Sequence, residues 1–177
     1  MASCLYFERK QAQNMDETML QVYKDGAFEK RGFSRVEFCK LFSISIKRTL
    51  NGGETLITGG KENKKMYFVA SGSVRVRSDS KQIAVIDENG FVGEMSFLDV
   101  LTETPCPLST EKECTLSLAT ADVVVDSNGA TVYEWDFEEL LNYLKLEHEV
   151  ANALQTFISH DLREKLKASN VNLITLL

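Results

Sequence analysis

The chain has little of what most catalytic, metal-binding or membrane functions require. Its 177 residues include two histidines, four cysteines, two prolines and one tryptophan. His148 and His160 both fall in a stretch with helical periodicity, about 120° apart around the axis, so they cannot share a metal. Cys4, Cys39, Cys106 and Cys114 form no CxxC pair. With no cleavable-looking signal segment, they read as reduced thiols of a cytoplasmic protein, or of one on the cytosolic face of a membrane. No apolar run approaches membrane-spanning length, which argues against direct insertion in the bilayer. Positive charge is short too: 20 basic residues against 26 acidic ones leave a net charge of −6. Nucleic acid is therefore not an expected partner, because phosphate neutralisation needs a basic surface. No Ser or Cys pairs with a nearby base, and no close carboxylate pair stands in a cleft-like context. We expect no catalytic residue, no metal site and no enzyme.

One tempting motif also fails. "GGETLITGGK" offers Gly60-Lys61, half of a phosphate-binding nucleotide loop. That loop needs glycine where Thr55 stands and Ser or Thr where Glu62 stands. Its glycines read as turn residues on either side of the strand "ETLI". The charged run "KENKK" (Lys61 to Lys65) reads as a solvated loop.

What is present divides into three textures within one domain. Residues 1–45 read as two or three short helices, with Ser34 and Glu37 at capping-box spacing. Residues 46–135 hold short runs rich in Val, Ile, Tyr and Phe: "KRTL", "ETLI", "KMYFVAS", "SVRVRS", "QIAVID" and "TLSLATADVVV". Gly, Asn, Asp or Ser separates them, the signature of an antiparallel sandwich or roll. "SNGA" (Ser127 to Ala130) predicts a tight hairpin, and the proline-containing segment 102–114 an exposed loop. Residues 136–177 return to helical period. Asp136 with Glu139 caps a helix through about Leu144, and a longer helix runs from about Glu147 to Lys167. Val150, Leu154, Phe157, Ile158, Leu162 and Leu166 form its apolar stripe. The class is α+β, mainly β.

The most unusual stretch is "GFVGEMSFL", residues 90–98. Gly93 lets the backbone bend sharply, so a short helix can start near Glu94. The first amides of a helix have no intrahelical acceptor and favour an anion. Glu94 beside them would repel a phosphate unless it held a partner of its own, such as a sugar hydroxyl. The alternative is that Glu94 only caps amides of its own loop.

Taken with "GETLITGG", "KMYFVASGSVRV", "IAVIDENGFVGEMSFL" and the helix pair led by Trp135, this segment resembles the cyclic-nucleotide-binding domain from about Ser34 to Lys167. The glycines Gly53, Gly60 and Gly72 and the Gly93-Glu94 bend are its most specific parts. "GFSRVEFCKLF", "FVGEMSFL" and "SHDLREKL" resemble the Popeye-like branch of that superfamily. The resemblance implies an eight-stranded antiparallel β roll (a jelly roll, or double-stranded β-helix) flanked by N- and C-terminal helices. It implies a regulatory or sensor domain for cAMP or cGMP, without a permanent cofactor. Gly93, Glu94, Met95 and Ser96 would form the ligand cradle: Glu94 on the ribose 2′-hydroxyl, and the helix amides on the cyclic phosphate. The last helix would close over the pocket as a lid, or pair with a second copy in a homodimer. One family feature is missing, the phosphate-binding arginine of a "PRAATV"-like segment. Residues 105–120 hold no arginine. One register sets Lys112 at that position, and another sets Ser117 there. Binding is then expected to be weak, or replaced by a protein-interaction role on the same fold.

Overall fold

The computed structural model describes residues 15, 17–26, 28–79, 81–102 and 118–175, with side chains through Lys167. In chain order the elements are α1 (Glu17–Asp25), a 3-10 turn (Glu29–Arg31), α2 (Arg35–Ser43), β1 (Ile46–Leu50), β2 (Thr55–Ile57), β3 (Lys65–Ser78), β4 (Lys81–Ile86), β5 (Phe91–Val92), α3 (Glu94–Thr102), β6 (Asp122–Asp136), α4 (Phe137–Leu144) and α5 (His148–Thr175). They form two compact units. One is Ile44–Tyr143; the other joins the chain up to Ser43 with the chain from Leu144.

The first unit is an antiparallel roll organised by two long strands. β6 pairs with β1, β2 and β3, while β3 also pairs with β4 and β5, giving the order β1-β6-β3-β4. The fold is the expected antiparallel β sheet, with helices before and after it in the chain. Six strands rather than eight occur among the described residues, because β3 and β6 each run unbroken through a bend. The runs "KMYFVAS" and "SVRVRS" thus belong to one strand.

The expected hairpin at "SNGA" does not form. β6 passes straight through it and pairs with β3 on both sides, at Gly72↔Ala130 before the bend in β3 and at Val74↔Val125 after it. Gly129 does take the positive φ that Asn-Gly promises, at 78°. It spends that freedom on a bulge, since four residues of β6 face a single residue of β3. At the same corner Gly72 has a φ of 80°, and a Cβ there would lie 2.3 Å from the Gly129 carbonyl oxygen. Only glycine lets the two strands touch at this point.

Alternation along the strands sorts the side chains into two faces. Tyr67, Val69, Val92, Val123, Val125 and Val132 fill the inner cluster. On the opposite face Phe68 meets Phe91 edge-on, with centroids 5.1 Å apart, and Phe91 lies 6.2 Å from Trp135. Phe97 of α3 meets Phe137, the first residue of α4, at 5.4 Å. α4 starts where expected: the Asp136 Oδ1 accepts from the Glu138 and Glu139 amides at 2.9 and 3.3 Å. At one end of the roll Glu134, only 5% exposed, bridges two strands other than its own. Its carboxylate accepts from Arg48 of β1 at 2.8 Å and from Lys65 of β3. Burial alone would raise the Glu134 carboxyl pKa, but the hydrogen bonds from Lys65 and Arg48 outweigh it and hold the pKa below the usual range.

In the second unit the predicted capping box is present in full. The Ser34 amide donates to Glu37 Oε2 at 2.6 Å, and the Glu37 amide donates to Ser34 Oγ at 3.2 Å, opening α2. The core is aromatic: Phe28 lies 5.0 Å from Phe38, 5.4 Å from Phe33 and 4.5 Å from Phe157 of α5. Arg31 stacks on Phe157 at 4.4 Å. Val150, Leu154, Phe157 and Ile158 are buried as the stripe requires, whereas Leu166 is 66% exposed. α5 continues past the expected Lys167 to Thr175. Cys39 is a free, half-buried thiol, its pKa raised by burial against an opposing effect of Arg35. Cys4, Cys106 and Cys114 lie outside the described residues. Among the described residues no helix is long and apolar enough to cross a membrane.

Two tests follow from the packing of the roll. Gly72→Ala adds a methyl where the β6 backbone already sits, at a φ that disfavours L side chains. It should lower stability by about 1–3 kcal/mol in urea unfolding. The Glu134 linkage acts in acid. A depressed folded-state pKa contributes stability that is present above the unfolded value of 4.5 and is lost as pH falls through the folded value. The urea midpoint of the parent should drop in that window, and Glu134→Gln should remove part of the drop while being less stable at neutral pH.

Candidate functional site

The site grows from the end of β5. Phe91 and Val92 pair with Phe68 and Tyr67 of β3, which fixes where the chain leaves the sheet. Gly93 follows with a φ of 82°. A Cβ on it would stand 2.5 Å from the Lys65 carbonyl oxygen, 2.8 Å from Asn63 Nδ2 and 3.2 Å from Ile57 Cδ1. The bend is therefore pressed against the start of β3 and the rim of the inner apolar cluster, and no larger residue fits. Directly after it the Phe97 amide donates to the Gly93 carbonyl at 3.2 Å, closing the first turn of α3. The helix is nine residues long, from Glu94 to Thr102.

This start sets the sequence-predicted residues in one turn. Glu94 is 5% exposed and Ser96 7%, while Met95 is 59% exposed. The first-turn amides lack intrahelical acceptors and carry the positive end of the helix dipole. A buried acid, the first turn of a helix and the Ile57 side chain thus lie around one bend. Such a grouping suits a ligand with an anionic part, a hydroxyl and an apolar face. Lys112 and Ser117, the two positions considered for the missing arginine, lie outside the described residues. Arg75 and Arg48 of the roll are already bound to carboxylates, Arg75 to Asp126 at 3.2 Å and Arg48 to Glu134.

The sequence reading passed over the loop that backs the bend. "KENKK" is not a solvated loop throughout, because Asn63 at its centre is 8% exposed. Asn63 Nδ2 donates to the Lys65 carbonyl at 2.9 Å, and the Lys65 amide donates to Asn63 Oδ1 at 3.2 Å. The Phe137 amide donates to the Lys64 carbonyl at 2.8 Å. On the other side the Ala119 amide donates to the Lys61 carbonyl at 2.9 Å, and the Gly60 amide to the Ala119 carbonyl at 2.8 Å. One signal was available in the sequence: Asn63 is the single uncharged residue in a run of charged ones. Tyr67, beside the bend on the inner face, has its hydroxyl pKa pushed up to about 12, by burial first and then by Glu134. It stays protonated and donates to the Leu56 carbonyl at 3.4 Å. Among the described residues no group of three His, Cys, Asp or Glu side chains could hold a metal ion.

Comparison with known proteins agrees with this fold. Solved structures of similar fold include a cyclic nucleotide-binding domain from Methylobacillus flagellatus KT. It is 16% identical, with a TM-score of 0.69 over 89% of this chain and 85% of that one. The C-linker/CNBHD of zELK channels, crystallised in the presence of cAMP, is 23% identical, with a TM-score of 0.60 over 88% of this chain and 69% of that one. The c-di-GMP-responsive global regulator CLP of Xanthomonas campestris is 15% identical, with a TM-score of 0.62 over 81% of this chain and 64% of that one. No curated protein matches the chain in sequence at a significant level. The family model for the cyclic nucleotide-binding domain matches residues 47–145, which span the roll, the Gly93-Glu94 bend and α4. The chain belongs to the cyclic nucleotide-binding domain family.

Proposed function

We propose that this chain is a non-enzymatic regulatory domain of Popeye-like type that binds cAMP or cGMP, and binds it weakly. The observation that carries this reading is the buried Glu94 at the first position of a helix whose entry demands glycine. A buried carboxylate accepts strong hydrogen bonds. A ribose 2′-hydroxyl supplies a donor to it, while the Met95 and Ser96 amides meet the cyclic phosphate. The absence of arginine in residues 105–120 explains the weakness. A charged hydrogen bond is worth about 1.5–3 kcal/mol, so losing it costs roughly 10- to 150-fold in affinity. Lys112 would return part of this as a point charge, without the planar fork of a guanidinium.

A second reading has its own observation. Leu166 continues the apolar stripe of α5 yet is 66% exposed, as it would be if a second copy of the chain paired there. In that case the fold serves association, and the cradle is vestigial.

Titration calorimetry with cAMP and cGMP separates the two. The parent should bind at least one of them with a Kd between about 1 μM and 1 mM, and Glu94→Ala should weaken it about 10-fold or more. No heat at millimolar nucleotide, with Glu94→Ala behaving like the parent, would remove the ligand reading. A dimer by light scattering that Leu166→Glu dissociates would then favour the second.

A further inference from the structure

We propose that Asn63 is the positioning residue of the nucleotide cradle: from a loop that touches no ligand, it sets the bend at Gly93 and so the place of Glu94. This rests on the cyclic-nucleotide reading above.

A carboxamide buried among charged neighbours calls for an explanation, because burial of a polar group costs free energy unless its hydrogen bonds are made. Asn63 makes them to a single residue, donating to the Lys65 carbonyl and accepting from the Lys65 amide. This pair of bonds fixes the peptide planes on both sides of Lys65, where β3 begins. The two atoms a methyl on Gly93 would strike hardest are the Lys65 carbonyl oxygen and Asn63 Nδ2. They are also the two ends of one hydrogen bond. The wall behind the bend is therefore a donor–acceptor pair held rigid by its own bond, and Gly93 is fitted against both halves.

The wall is itself anchored. The Lys64 carbonyl receives the Phe137 amide at the start of α4, and the Lys61 carbonyl receives the Ala119 amide. Asn63 lies between these two ties, so the backbone that carries its side chain is held on both sides. Alanine at 63 would lose both bonds to Lys65 and open a gap behind Gly93. Aspartate would keep the acceptor for the Lys65 amide, lose the donor, and set a negative charge beside a carbonyl oxygen. Neither change alters an atom that meets the ligand, yet both free the bend.

The test uses the whole chain and two readouts. In the ligand-free protein, amide hydrogen exchange at Phe97, whose N–H reaches back to Gly93, should speed up about 10-fold in Asn63→Ala. The Phe38 amide, in the helical unit, should not change. Asn63→Asp should do the same to a smaller degree, and serves if the alanine variant does not fold. In calorimetry, Asn63→Ala should weaken cAMP or cGMP binding about 5- to 10-fold in the parent but less than about 2-fold in the Glu94→Ala background. A residue that merely stabilises the roll would cost the same in both backgrounds. Unchanged Phe97 exchange, or equal losses in both backgrounds, overturns the proposal. If the parent binds neither nucleotide the ligand reading falls by itself, and the exchange at Phe97 alone decides whether Asn63 sets the bend.

Discussion

Much of this molecule turns on how closely the chain at Gly93 approaches the start of β3. Any side chain at that position would meet a backbone carbonyl at 2.5 Å, a distance no relaxation of a flexible group relieves. The close approach and the positive φ together force glycine there, and with glycine the chain can leave a strand and enter a helix within one residue. The helix then begins with its first turn and its acid beside the apolar interior of the roll.

The long strands make that approach dependable. β3 supplies the wall of the bend at Lys65, the pairing for β5 at Tyr67 and Phe68, and the corner at Gly72. β6 runs beside it for the whole length and carries Glu134, whose two cationic partners tie β1 and β3 to it. A displacement of either strand would be felt at the bend and at the corner together. Rigidity of this kind is what a small cradle needs, because amides misplaced by even an ångström lose most of a hydrogen bond.

The parts legible in the sequence were those set by neighbours in the chain. The Ser34–Glu37 box and the Asp136 cap each depend on residues within three positions, and both formed where expected. The alternating strands and the Gly93-Glu94 bend were equally readable, because alternation and glycine carry local meaning. What escaped depends on partners far along the chain. Asn128-Gly129 looked like a hairpin because its local preference is right, but pairing of β6 with β3 on both sides of it overrode the turn. Asn63 looked solvated because its role lies with Gly93, thirty positions away. The extension of α5 beyond Lys167 runs through Ser169, Asn170 and Asn172, residue types whose local preference is for caps and turns rather than helix interiors.

On the proposed reading, the bend at Gly93 presents a ligand-binding turn to a cyclic nucleotide. Amide-resolved NMR during a titration with cAMP and with cGMP examines that turn directly. The Glu94, Met95 and Ser96 amides should shift progressively with at least one nucleotide, while the aromatic cluster around Phe28 stays still in the first steps. Shifts confined to other parts of the surface, with those three amides unmoved at saturation, would contradict it.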